Sequence, residues 1–142
     1  MSGSGAAENP KRSATRTFPR KFFGVIAIVH AILVVAQPIL AGLSLEGNSG
    51  ALDLHYTNGM LIMGVAFLQV IAAVLWWKPG GGPSKAMSVS AVLLVAEVAQ
   101  FFIGDSGNFA IHLPLGILVF FGALAAAGMA YSKRRESDVL DA

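Results

Sequence analysis

The chain has 142 residues, ten Lys and Arg against eight Asp and Glu, no cysteine, and is 55% hydrophobic but only 13% charged. A soluble domain is roughly a quarter charged, so with a mean hydropathy of +0.67 this chain is built for lipid. Missing cysteine excludes disulfides, thiolate metal sites and thioether-linked haem, and the length bounds the chain to about one domain.

Residues 1–20 are polar and basic and read as a disordered tail. Four apolar runs follow, at about 22–45, 54–77, 86–104 and 109–131, each long enough to cross ~30 Å of hydrocarbon as a helix. Residues 133–142 form a second polar tail, leaving 21–132 as the membrane domain. Short polar connections (EGNSGALD, KPGGGPSK and GDSGN) force an all-α, up-down-up-down four-helix bundle. The first run is too long for a secretory signal and no small-x-small site follows it, so it reads as an uncleaved anchor.

All ten basic residues fall on one side of this arrangement: five precede the first helix, Lys78 and Lys85 flank the second connection, and three follow the fourth helix. The positive-inside rule then places both termini in the cytoplasm, in a multi-pass plasma-membrane protein. Charges placed this way set topology and, secondarily, attract anionic lipid; they do not mark a nucleic-acid surface. Trp76, Trp77 and Tyr131 fit an aromatic belt at the inner face.

The chain also repeats itself. GNSGALDLH (47–55) matches GDSGNFAIH (104–112), and AILVVAQ (31–37) matches AVLLVAE (91–97). Helices one and two align on three and four as parallel hairpin repeats, an arrangement that places binding sites at the repeat interface. His55 and His112 become symmetry mates in the first turns of helices two and four, near the outer face. Each has glycine four residues on, Gly59 and Gly116, on its own helix face. Two facing imidazoles with a bare helix surface below them suit one b-type haem held by axial histidines, with Met63 and Phe120 as pocket walls. A bare metal ion held by the histidines with Asp53 and Asp105 is an alternative. So is a bundle with no cofactor, in which the glycines serve helix packing.

Polar side chains inside spans are costly and face the interior. Glu97 is the only charged-type residue within a span, and Gln37 takes its place in the other half. Glu97 reads as a proton carrier or a hydrogen-bonding group near haem or a quinol, or else as a carboxyl bonded to Gln37 or Gln100. His30 and Gln69 lie at similar depth, so a structural hydrogen bond between them is expected.

QPILAGLSLEG, then LHYTNGMLIMGV, a third helix with glutamine, and AIHLPLGILVFFGALAAA together resemble one four-helix haem-binding half of heme A synthase. They also resemble a family of small four-helix membrane proteins of the same layout. The resemblance spans about residues 20–132 and implies His55 and His112 as haem ligands. It departs from heme A synthase at Tyr56, where that family usually has arginine, and in having a single bundle and no basic residue in the outer connections.

Three functions follow as expectations. The first is a haem b protein serving electron transfer, haem handling or redox sensing, with a redox partner or larger membrane complex. The second is a cofactor-free accessory subunit. The third is an enzyme acting on haem or quinol, completed by a homodimer, with Glu97 as acid or base.

Overall fold

The computed structural model describes the backbone of residues 10–132 and the side chains of residues 17–132. Four helices fill nearly all of it: α1 (Pro10–Leu45), α2 (Ala51–Trp77), α3 (Ser84–Asp105) and α4 (Phe109–Met129). Each is long and apolar enough to cross a membrane. Their outward faces carry bare hydrophobes, with Val92 68% and Leu118 69% exposed. A surface like this is stable in lipid and aggregates in water, so the chain is a multi-pass membrane helix bundle.

α1 begins well before its apolar stretch. Pro10 suits a first helical position, where its fixed φ is already helical and its missing N–H would have had no partner. The tail assigned to 1–20 therefore overlaps a helix from Pro10 onward; residues 1–9 and the tail 133–142 lie outside the described residues.

The helices pack as a ring, α1 on α2, α2 on α3, α3 on α4 and α4 on α1, while the two diagonals stay apart in backbone. Small side chains make the close approaches, as they must where lipid offers no hydrophobic drive. One core cluster joins Ala31, Val34, Ile62, Val119 and Ala123. Another closes the end of the bundle carrying the second connection, with Phe23, Ala27, Ala72, Ala73, Trp76, Ala86 and Ala130. Trp76 is here a core residue rather than a belt residue: it is 7% exposed, packs on Phe23 at 5.1 Å and has Gly82 directly against its indole. Tyr131 does stay exposed. Arg20 Nε donates to the Ala130 carbonyl at 2.6 Å, tying α1 to the end of α4.

At the opposite end, α1 and α3 terminate in the same way. Gly47 (φ 89°) and Gly107 (φ 75°) are left-handed, a conformation that suits glycine. The following residues reach back, Asn48 N–H to Leu43 O at 3.1 Å and Asn108 N–H to Ile103 O at 3.3 Å, the Schellman pattern. The equivalent pairs are thus Gly47–Asn48 and Gly107–Asn108. GNSG and GDSG, matched by letter, do not occupy equivalent backbone positions: the first glycine of one corresponds to the last glycine of the other. The left-handed backbone, not the letter order, decides which glycine turns the chain.

Candidate functional site: two polar tiers across the bundle

His55 and His112 sit near the Gly47 and Gly107 turns, both half-buried, and their rings face each other across the α2/α4 diagonal. Each is held by the helix beside it. His55 Nδ1 lies 3.2 Å from the Gln37 carbonyl and His112 Nδ1 lies 3.0 Å from the Gln100 carbonyl. A carbonyl only accepts, so His112 Nδ1 carries the hydrogen and donates, and its Nε2 keeps the lone pair. His55 Nδ1 does the same in its bond to Gln37 O, but with the Gln37 amide turned nitrogen to His55 that nitrogen also lies 3.1 Å from Nδ1 and competes for it. The glutamines return the contact. Gln100 Nε2 donates to the His112 carbonyl at 2.8 Å. The Gln37 amide, turned nitrogen to His55, donates to the His55 carbonyl at 3.2 Å and accepts from Gly59 N–H at 3.3 Å.

Pro38 has no N–H, so the α1 ladder lacks the bond to Val34 O. α2 side chains bond two other α1 carbonyls nearby, Asn58 Nδ2 to Leu33 O at 2.8 Å and His55 to Gln37 O. On α3, Gly104 seats the second histidine: a Cβ there would lie 2.6 Å from His112 Cε1.

The expected role of the other glycines changes in detail. A Cβ at Gly116 would meet Gln100 Nε2 at 2.8 Å, and one at Gly59 would meet the Gln37 amide at 3.3 Å and the Phe101 ring at 3.4 Å. Each bare helix surface is therefore covered by a glutamine amide. Phe101 in turn packs against Tyr56, ring centres 4.9 Å apart and planes tilted by 54°. Phe120 packs on the core cluster beside Val119 and Ala123, and Met63 is half-buried on α2.

The donor set can be tested against candidate groups. The ring centres are 6.3 Å apart, with the planes at 59°. Two metal–imidazole bonds of about 2.0–2.1 Å, with roughly 1.1 Å from nitrogen to ring centre on each side, separate ring centres by about 6.3 Å. Nδ1–H donated to a backbone carbonyl is the usual outer support of a ligating imidazole. Among the described residues no three of His, Asp and Glu come together. A bare ion needing four or more ligands is thus poorly served, whereas haem iron needs only two from the protein.

A second tier crosses the other diagonal, α1 to α3. His30 Nδ1 bonds Gln69 Oε1 at 2.7 Å, the pairing expected from their depths. Gln69 Nε2 donates to Ser90 Oγ at 3.1 Å, and Ser90 Oγ donates to Ala86 O at 2.8 Å. Glu97 joins this tier instead of reaching Gln37 or Gln100: its Oε1 lies 2.7 Å from His30 Nε2, with both side chains buried. Glu97 Oε2 and Gln100 Oε1, one turn apart on α3, are buried without a hydrogen-bond partner among the described residues.

Sequence reasoning missed three contributors: Gln100 as the partner of His112, Gly104 as its seat, and Ser90 as the end of the His30 chain. Gly104 stood in the repeated motif and Gln100 was the third-helix glutamine of the resemblance, while Ser90 was not singled out. Comparison with family models, with curated proteins and with solved structures returns no match.

Proposed function

We propose that the chain is a b-type cytochrome of the membrane, with His55 and His112 as the two axial ligands of one haem near the outer face. One observation carries this reading: two imidazoles come together at a ring separation of 6.3 Å, each with Nδ1 within hydrogen-bond reach of a glutamine backbone carbonyl. Haem supplies reversible one-electron chemistry. The protein's part is to fix both rings, through Gln37, Gln100 and Gly104, and to surround them with low-dielectric wall. Held by both histidines, a haem would supply electron transfer rather than substrate chemistry at the metal. The likeness to one half of heme A synthase points to the same ligands. The twin Gln–His arrangement supports an internal repeat of two hairpins, and the one-sided basic residues support an up-down-up-down topology with both termini cytoplasmic.

A second reading is a cofactor-free accessory bundle. The glutamine amides that fill the glycine surfaces favour it, since they complete the packing with protein atoms alone. Absorption of the protein purified from haem-replete cells separates the two. A Soret band with low-spin character is expected, and its absence in protein that is folded and helical would leave the cofactor-free reading standing.

A further inference from the structure

The lower tier contains one proton that its hydrogen bonds do not assign. Ser90 Oγ donates to Ala86 O and accepts from Gln69 Nε2, so Gln69 Oε1 is the end that faces His30. An amide oxygen accepts, so His30 Nδ1 carries hydrogen. That leaves Nε2 against Glu97 Oε1 at 2.7 Å, a contact that requires a proton on one side or the other. The pair therefore holds one shared proton and no net charge, as imidazolium–carboxylate or as imidazole–carboxylic acid. A second proton has a place to go: Glu97 Oε2 is buried, unbonded, and on the side chain of a residue only 3% exposed. Gln100 Oε1, one turn toward the histidine tier, is likewise an unbonded acceptor, on the residue whose carbonyl holds His112.

We propose that the His30–Glu97 pair is a redox-linked proton site: it takes up one proton when one electron arrives between His55 and His112. This rests on the haem reading above. The balance is simple. One electron comes from a one-electron reductant, physiologically of the quinol class. One proton comes from water at the Gly47/Gly107 end, and the pair goes from no net charge, with one proton, to imidazolium plus carboxylic acid, with two. The physical drive is charge compensation in a medium of low dielectric, where a unit charge is felt over the few helical turns between the tiers. Seven residues separate His30 from Gln37 and three separate Glu97 from Gln100, about 10 Å and 5 Å of helix. Competing groups are few. Gln69 of α2 bonds His30, Ser90 of α3 bonds Gln69, and α4 packs the apolar Val119 and Ala123 into the core cluster that includes Ala31, next to His30. The other titratable side chains turned into the bundle within the spans are His55 and His112 themselves.

The test is a redox titration of the haem-loaded full chain in lipid nanodiscs, with mediators and dithionite, repeated across pH. Wild type is expected to show a midpoint potential falling by about 59 mV per pH unit over part of the range, the one-electron equivalent of a tenfold change in proton activity. Glu97→Gln should flatten that dependence and Glu97→Asp should restore it, which a merely structural role would not do. A redox-induced infrared difference spectrum should show a carboxylic C=O band on reduction that is missing in Glu97→Gln. A Soret band with a pH-independent potential overturns this inference and leaves the haem reading intact. A pH-dependent potential that survives in Glu97→Gln overturns it too. Absence of any Soret band defeats both.

Discussion

His30 Nε2 meets Glu97 Oε1 at 2.7 Å across a diagonal of the bundle where the two helix backbones do not touch. The contact joins α1 to α3 through side chains alone, and it lies in the part of the span where an unpaired polar group is most expensive. Removing one partner leaves the other buried without its bond, so the two substitutions should not add.

His30→Ala leaves Glu97 buried and unpaired and also strips Gln69 of its donor, so a loss of about 1–3 kcal/mol is expected. Glu97→Ala leaves His30 anchored by Gln69 and should be milder. In a double-mutant cycle read by unfolding in mixed detergent micelles, the pair should show a coupling of about 1 kcal/mol or more. Simple additivity of the two substitutions would mean that the contact stabilises nothing.

Gly116 and Gln100 make a second test of packing. A methyl at position 116 would sit 2.8 Å from Gln100 Nε2, and that nitrogen is held in place by its bond to the His112 carbonyl. Gly116→Ala should destabilise by about 1–3 kcal/mol, outweighing its better helix propensity. In a Gln100→Ala background the same substitution should become neutral or stabilising. Gly59→Ala, with its nearest neighbours at 3.3 and 3.4 Å, should be tolerated better. Equal effects at the two glycines would contradict the positions of the amides.

Much of this was legible in the sequence, and the parts that were not share a cause. Four spans follow from run length, and the His30–Gln69 bond followed from counting residues down adjacent helices. The Glu97 partner did not, because α1 and α3 are diagonal and their side chains meet by reaching, which residue counting ignores. The repeat misled in a similar way. Gln37 was paired with Glu97 by an offset of sixty, yet it is Gln37 and Gln100 that hold the two histidines, three residues further out of step. His55 stands eight residues past Gly47 and His112 five past Gly107, so the histidine and its glutamine have shifted together by about one turn in one half. Contacts, unlike letters, move in pairs.

Topology can be checked without any cofactor. Ser49 lies in the first connection and Ser132 follows α4, and both are exposed. With the basic residues cytoplasmic, Ser49→Cys in intact cells should react with an impermeant maleimide, while Ser132→Cys should react only after permeabilisation. The reverse pattern would invert the protein and place the histidine tier at the cytoplasmic face.

The ligand assignment has its own test, one that separates loss of a ligand from loss of the fold. Haem without thioether links is held by its axial bonds and its walls, so His55→Ala and His112→Ala should each lower occupancy sharply. Either change also removes a bond to a glutamine carbonyl, and a general loosening of the bundle would lower occupancy as well. His55→Gly and His112→Gly, purified with free imidazole in the buffer, resolve the ambiguity. The space vacated by the ring can admit imidazole, whose nitrogen then replaces the missing ligand, and the low-spin spectrum should return with added imidazole and fade on its removal. His30→Ala, treated in the same way, should keep its spectrum without imidazole, because its ring bonds Gln69 and Glu97. Should the His55 and His112 variants keep a full low-spin Soret band with no imidazole present, the iron has other ligands and the two rings meet for packing alone.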